Sequence, residues 1–241
     1  RNVSLVRGSA LAGGCVFVGE GSTFVATDTV LADCTSLNAG GAVAGLRLST
    51  LALRGASLVK DSSSWGGGGL YSHDGSVELA DQTRIRQCDA THGGGVFGTG
   101  ADVTVAGDTA VSECVAREYG GCFYFDDGGS ALFSGKATLR QCEATFGGGV
   151  FGTGADVTVA GDTAVSECVA REFGGCFYFD RGGSAVFKDQ ATLHGCEAGN
   201  DGGGIDANFL DMVVLQDQAA ITNRVAEWGG GVAFVGRDSN G

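Results

Sequence analysis

Short apolar runs recur along the whole chain, and Gly, Asp or Ser residues separate them. The runs VFGT (96–99), VTV (103–105) and TAVSEC (109–114) form one group of three. Runs of this length, bounded by turn-forming residues, predict β-strands. No window has the i, i+3, i+4, i+7 apolar spacing of an amphipathic helix, so the pattern predicts an all-β protein.

The groups of runs belong to a repeat marked by a glycine pair that apolar residues follow. The second glycine of each pair returns after 26 to 29 residues, with a mean of about 27. These coil-turn glycines are Gly14, Gly41, Gly69, Gly95, Gly121, Gly149, Gly175, Gly204 and Gly231. A period of this length without helical spacing indicates a solenoid. We predict a right-handed parallel β-helix of about nine coils, in which each coil adds one strand to each of three parallel sheets.

A longer duplication is superimposed on this repeat. Residues 93–126 return at 147–180 with one change in 34 positions, where Tyr119 becomes Phe173. The block 93–146 has therefore been duplicated as 147–200. We treat residues 1–241 as a single β-helix segment. Because Arg1 stands first and both ends fall inside a repeat, we expect this segment to be an excerpt of a longer chain.

Composition narrows the class of protein. The chain has 45 glycines and no proline, which excludes collagen, whose triple helix needs proline-rich triplets. Apolar residues make up 43% and charged residues 18%, enough apolar surface for a folded core. The net charge of -13 argues against a nucleic acid partner, because phosphate binding needs clustered basic residues. No apolar stretch approaches the roughly 20 residues of a membrane span.

Six of the nine cysteines occupy one column of the repeat, three residues after an aliphatic residue. They are Cys34, Cys88, Cys114, Cys142, Cys168 and Cys196. Equivalent residues of adjacent coils lie above one another at about 4.8 Å, which suits the disulfide dihedral angle poorly. We therefore predict a column of buried free thiols that pack as small hydrophobic side chains. No C-x-x-C pair occurs and the histidines fall in different columns, so we predict no metal site and no cofactor.

Of the two columns directly after the glycine pair, the first is apolar throughout and the second is apolar or aromatic except at Asp206. The first is predicted to face the interior and contains Cys15, Ala42, Leu70, Val96, Cys122, Val150, Cys176, Ile205 and Val232. The second includes Phe97, Phe123, Phe151 and Phe177. Strict strand alternation would place it outside, as an apolar stripe suited to assembly or binding. A backbone bend after the glycines would instead stack the phenylalanines in the core. We favour the core, since an exposed stripe invites aggregation.

The glycine motifs carry a family resemblance that covers nearly the whole chain. They are GGAVA (40–44), GGGLY (67–71), GGGVF (93–97 and 147–151), GGGID (202–206) and GGGVA (229–233). The chain resembles the repeats of chlamydial polymorphic outer membrane proteins and, more broadly, autotransporter passenger domains. It differs where cysteine replaces the family's usual asparagine, which only the region of Asn223 retains. The resemblance implies an extracellular or cell-surface adhesin or stalk. Its expected partners are other protein or glycan surfaces, or adjoining coils of the same longer chain.

The alternative function is a carbohydrate-active enzyme, a polysaccharide lyase or glycosidase. Its best carboxylate pair is Asp126 with Asp180, two coils or about 9.6 Å apart along the backbone stack, near the upper limit for inverting glycosidases. Each of these residues also begins a glycine turn, which explains them without catalysis. A calcium-binding nonapeptide is disfavoured by the period, and an ice-binding threonine row is interrupted in every second coil. We predict a structural or adhesive rod and not an enzyme.

Overall fold

The computed structural model describes residues 3–222 and 224–235, so Asn223 lies outside the described residues. Within these ranges the chain has no helix and winds into a parallel β-solenoid of about nine coils of about 27 residues. The predicted fold class is therefore confirmed. The predicted number of sheets was wrong, because the described strands form four parallel sheets instead of three.

Each coil passes through the four sheets in turn. The first sheet contains Val3–Val6, Thr29–Ala32, Leu58–Lys60, Arg84–Arg86, Ala110–Ser112, Thr138–Arg140, Ala164–Ser166, Thr192–His194 and Ala220–Thr222. The second contains Ser9–Ala12, Thr35–Ala39, Ser63–Gly66, Asp89–His92, Val115–Tyr119, Glu143–Phe146, Val169–Phe173 and Glu197–Ala198. The third contains Val16–Val18, Val43–Gly45, Leu70–His73, Val96–Thr99, Phe123–Asp126, Val150–Thr153, Phe177–Asp180, Ile205–Asn208 and Val232–Val235. The fourth contains Thr23–Thr27, Thr50–Arg54, Ser76–Leu79, Asp102–Val105, Ser130–Phe133, Asp156–Val159, Ser184–Phe187 and Met212–Leu215.

The second sheet is the one that the apolar runs did not predict. Its strand Val115–Tyr119 has the sequence VAREY, in which Arg117 and Glu118 are exposed. A strand whose outward side chains are charged leaves only short apolar stretches in the sequence. Most neighbouring strands of this sheet also pair with a register shift, as Asp89–His92 does with Val115–Tyr119. The alternation of apolar and polar residues is therefore weakest in the second sheet, where each strand bends toward the glycine motif that follows it.

The strand register aligns the glycine motifs differently from their spacing in the sequence. Val96 pairs with Phe123, and Phe123 pairs with Val150. The first two glycines of a triplet therefore stack on the glycine pair of the neighbouring coil. The third glycine of the triplet stacks on the residue that follows the pair. Among the predicted coil-turn glycines, those in this third position are Gly69, Gly95, Gly149, Gly204 and Gly231. Cysteine stands there in other coils, as at Cys122.

The first two glycines of each motif are required for different reasons, which Gly147 and Gly148 illustrate. Gly147 has φ +64°, a left-handed conformation that side chains with a Cβ rarely adopt. Gly148 has no such φ, but a Cβ there would lie 2.5 Å from the carbonyl carbon and oxygen of Val169 in the next coil. The first glycine allows the turn, and the second allows two coils to approach closely.

The interior row of the third sheet combines residues of both predicted apolar columns. In register it contains Val16, Val43, Leu70, Val96, Phe123, Val150, Phe177, Ile205 and Val232. Phe123 and Phe177 are fully buried in the main core, as predicted. Phe97 and Phe151 belong instead to the neighbouring outward row and pair with Tyr124 and Tyr178. The predicted phenylalanine column is therefore split between two rows. In coils with the sequence GGCFYF, the first phenylalanine stacks on the valine of the GGGVF coils, and the following tyrosine stacks on their phenylalanine.

The prediction that the cysteine column consists of free thiols was wrong for half of its members. Disulfides join Cys15 to Cys34, Cys122 to Cys142, and Cys176 to Cys196, with Cα–Cα distances of 5.5, 5.5 and 5.4 Å. In the described residues no disulfide joins two members of the column. Each bond links a column member to the third position of a glycine motif, 19 or 20 residues earlier. Buried free thiols remain at Cys88, Cys114 and Cys168.

Thiol titration distinguishes this pairing from a column of free cysteines. We expect three titratable thiols in denaturant without reductant and nine after reduction. In the native protein labelling should be slow, because burial raises the pKa of Cys168 to about 12 and that of Cys114 well above its usual range. The thiolate is the reactive form, and burial disfavours it. Nine thiols in denaturant without reductant would contradict the assignment.

Candidate functional site: an aromatic groove

An aromatic row faces outward from the third sheet. In successive coils it contains Tyr71, Phe97, Tyr124, Phe151 and Tyr178, each in register with the next. The rings of Phe97 and Tyr124 stack with a centroid distance of 4.6 Å and an interplanar angle of 19°. Although the row lies outside the coil, its last four members are buried, with exposed fractions of 4 to 9%. Another part of the chain must therefore cover them.

A second aromatic row at the end of the second sheet covers the first. It consists of His92, Tyr119, Phe146 and Phe173, again in register. Phe146 and Phe173 stack at 5.8 Å and 11°. The rows touch across the glycine turn, where the centroid of Tyr119 lies 4.7 Å from that of Phe151. The two sheets thus form a concave corner that is filled with aromatic rings.

We call the concavity over this corner the aromatic groove. Its volume is about 220 Å³. Its lining residues are Tyr119, Tyr124, Asp126, Phe146, Phe151, Thr153, Tyr178, Asp180 and Arg181. Asp126, Thr153 and Asp180 lie two residues beyond the aromatic row along their strands, and therefore on the same face of the sheet. The structure thus brings both predicted carboxylates, Asp126 and Asp180, to one groove.

The two carboxylates differ in their partners. Nε of Arg181 donates a hydrogen bond to Asp180 at 2.9 Å and forms an ion pair with it. Asp126 forms no ion pair with any described residue, and no described backbone N–H donates to its carboxylate. The turn that follows it instead uses left-handed backbone at Asp127 and at two glycines. Among the described residues, the Asp126 carboxylate therefore makes no hydrogen bond that stabilises the turn.

The hydroxyls of Tyr124 and Tyr178 stay protonated at neutral pH. Burial raises the pKa of Tyr124, and the adjacent Asp126 carboxylate raises it further. Burial also raises the pKa of Tyr178, whose hydroxyl accepts a hydrogen bond from Nδ2 of Asn208 at 3.3 Å. These hydroxyls can act as donors or acceptors to a ligand.

Two polar side chains, the partly buried His92 and the buried Asp206, lie at the ends of the aromatic rows. Nε2 of His92 lies 3.2 Å from Oε2 of Glu118, and its Nδ1 has no partner among the described residues. Burial lowers the pKa of His92, and Glu118 counteracts part of this effect. At the other end Asp206 is in register with Tyr178 and is 3% exposed. Burial, and to a lesser extent the charge of Asp201, raises the pKa of Asp206 to about 7.

The raised pKa of Asp206 predicts that the stability of the fold depends on pH. Its pKa is about 7 in the folded chain and about 3.9 when unfolded, so the folded state holds a proton that the unfolded state releases between these values. Stability should therefore fall as the pH rises from about 4 to about 7. Urea denaturation at pH 5 and pH 8 should show a smaller loss for Asp206→Asn than for the wild type. Asp211→Asn changes an exposed carboxyl of the same coil and should keep the wild-type loss. Equal losses in all three proteins would contradict the assignment.

Asp126, Asp180 and Phe151 were identified from the sequence, whereas Tyr119, Tyr124, Phe146 and Tyr178 were missed. One signal was present, because His92, Tyr119, Phe146 and Phe173 each directly precede a glycine motif. An aromatic residue repeated at that position marks the edge of the turn where the second and third sheets meet. The second signal, the pairing of Phe97 and Phe151 with Tyr124 and Tyr178, depends on the one-residue offset between coils.

Comparisons of the chain with protein-family models, with curated proteins and with solved structures find no match. Among the described residues, no group of three or more His, Cys, Asp and Glu side chains is placed to hold a metal ion. The same part of the chain contains no helix that is long and apolar enough to cross a membrane.

Proposed function

We propose that this chain is a rigid extracellular rod with an adhesive role and that the aromatic groove is its contact surface. One observation carries the proposal: the Asp126 carboxylate, which forms no ion pair with any described residue, lies beside tyrosine hydroxyls and aromatic rings in a concave site. Ligand sites combine apolar walls with a few polar groups in this way.

Other features support the rod and its location. The parallel coils stack in register along four sheets, so that backbone hydrogen bonds run along the whole stack. Three disulfides clamp neighbouring coils, and disulfides persist in oxidising environments such as the cell exterior. The net charge of -13 favours solubility of an exposed rod.

Filling the groove tests the adhesive role. Thr153 lines the groove in the coil between those of Asp126 and Asp180. A tryptophan at this position would occupy much of the groove volume of about 220 Å³. Beads coated with the wild-type chain should be retained under flow on at least one of three surfaces: a cellulose film, a mucin-type glycoprotein or polylysine. Thr153→Trp should reduce this retention about tenfold, as loss of a central contact does in other interfaces.

Thr158→Trp is the matched control. Thr158 is also half-buried and outward-facing, but it lies on the fourth sheet, away from the groove. Its substitution should leave retention unchanged. Retention of the Thr153→Trp beads at the wild-type level, or no retention of wild-type beads on any surface, would refute the adhesive role of the groove.

The enzymatic alternative is favoured by one observation, the presence of Asp126, Asp180 and Arg181 in the same groove. The two aspartates are two coils apart, about 9.6 Å along the stack, close to the separation of inverting glycosidases. Incubation with polysaccharides and measurement of new reducing ends tests this alternative. Turnover that both Asp126→Asn and Asp180→Asn abolish would support an enzyme. Binding without turnover supports the adhesive rod.

A further inference from the structure

We infer that the aromatic groove binds a neutral, linear polysaccharide that lies parallel to the solenoid axis. This inference rests on the adhesive function proposed above and names the chemical class of its ligand. Three observations carry it: the two-coil repeat of the groove, its nearly balanced charge, and the orientation of its rings.

The groove repeats with the duplicated block. The sequence FYFD occurs at 123–126 and at 177–180, and it places Tyr124 with Asp126 and Tyr178 with Asp180 in equivalent positions. Thr153 lies in the coil between them and pairs with Asp180. Hydroxyl and carboxylate groups thus alternate along the axis, and the pattern returns after about 9.6 Å, which is two strand spacings. A repeating site of this kind matches a polymer whose own polar groups repeat over a similar length, as they do over two sugar units.

The charge of the lining argues against strongly charged polymers. Asp126, Asp180 and Arg181 are its charged members, so its net charge is -1 (two negative groups and one positive). An anionic polymer would meet Asp126, which has no ion-pair partner among the described residues, and the overall charge of -13. The carboxylates and the tyrosine and threonine hydroxyls can instead accept and donate hydrogen bonds to neutral hydroxyl groups.

The orientation of the rings argues against a basic peptide. Cations bind aromatic faces, whereas ring edges carry partial positive charge and attract oxygen atoms. Successive rings of the second row cover one another's faces, since Tyr119 stacks on Phe146 at 5.5 Å and 25° and Phe146 stacks on Phe173 at 5.8 Å and 11°. The ring edges of the second row, together with the tyrosine hydroxyls, are therefore left to line the groove. Such a lining suits an oxygen-rich, uncharged ligand with apolar C–H groups.

Titration calorimetry with defined oligosaccharides tests the inference. The probes are neutral β-1,4-linked hexasaccharides of glucose, mannose and N-acetylglucosamine, together with the disaccharide of each. At least one hexasaccharide should bind, and it should bind at least about tenfold more tightly than its disaccharide, because the longer chain reaches both copies of the repeat. Asp126→Ala and Asp180→Ala should each weaken this binding about tenfold, and the double variant should abolish it.

Asp102→Ala with Asp156→Ala is the matched control. These exposed aspartates are also equivalent positions of the duplicated block, but they lie on the fourth sheet. The control removes the same charge and should bind like the wild type. Circular dichroism and the count of three thiols verify that every variant is folded.

The remaining outcomes separate the ligand class from the adhesive function. Hexalysine or hexagalacturonate binding that the Asp126 and Asp180 variants abolish, with no binding of any neutral hexasaccharide, would overturn the inference and leave the groove as an adhesive site. Undiminished hexasaccharide binding by the double variant would also overturn it, because the sugar would then bind elsewhere. Failure of every probe to bind would overturn the inference, and the bead assay with Thr153→Trp would then decide the adhesive function by itself.

Discussion

Gly148→Ala is expected to lower the free energy of unfolding by at least about 4 kcal/mol, among the largest effects that a single substitution produces. The added Cβ would lie 2.5 Å from backbone atoms of Val169 and 2.6 Å from the carbonyl oxygen of Gly175. Backbone atoms of a paired strand cannot move aside as a flexible side chain can. The two coils would have to separate, which breaks the stacking that holds every later coil in register. Urea denaturation followed by circular dichroism measures the loss.

Gly19→Ala is the control for the general effect of replacing glycine. A Cβ at Gly19 would meet only Oγ of Ser22, at 3.9 Å, and this glycine has no left-handed φ. Its substitution should be neutral or stabilising by up to about 1 kcal/mol, since alanine reduces the entropy of the unfolded chain. Similar midpoints for Gly148→Ala and Gly19→Ala would refute the role of the second glycine in coil spacing.

Phe177→Ala is expected to cost about 3–5 kcal/mol, the range for removing a large buried aromatic side chain. Phe177 is fully buried in the third sheet and packs edge-on against Phe187 with a centroid distance of 5.0 Å. Its removal leaves a cavity between Val150 and Ile205, the interior residues of the adjacent coils. Phe123 has the equivalent place in the first block and packs against Phe133 at 5.1 Å, so Phe123→Ala should cost the same.

Phe17→Ala provides the comparison with an outward position. Phe17 is 54% exposed and lies on the outer face of the same sheet. Its replacement should change the free energy of unfolding by no more than about 0.5 kcal/mol, the usual limit for surface positions. Equal costs for Phe17→Ala and Phe177→Ala in thermal or urea unfolding would contradict the assignment of the interior row.

The fold class follows from features that the sequence displays directly. Glycine motifs with a period of about 27 residues and short apolar runs suffice to predict a parallel β-solenoid. The second sheet could not be predicted in the same way. Its strand in each coil, such as Val115–Tyr119, carries charged outward side chains and pairs with a register shift. Periodicity detects a strand only where one face is continuously apolar.

The disulfides and the groove required the strand register. Comparing only the cysteine column excluded bonds between its members, which holds for the described residues, but it left out Cys15, Cys122 and Cys176 as partners. Those cysteines align with the third glycine of other coils, and the alignment becomes visible only when Val96 is paired with Phe123. The same one-residue offset concealed the aromatic row. Asp126 and Asp180 needed no such alignment, because the duplication itself makes them equivalent.

The duplicated block corresponds to two complete turns, and this has a consequence for how such a rod can change. Gly93, Gly120, Gly147 and Gly174 stack in one line, so the second copy begins at the same angular position as the first. Unequal recombination between the two near-identical segments would therefore insert or delete whole turns without rotating the faces that follow. Each gained copy would lengthen the rod by about 9.6 Å and extend the groove by one Tyr–Asp unit. Length and valency would then change together in a single genetic step, and avidity for a polymeric ligand would change with them.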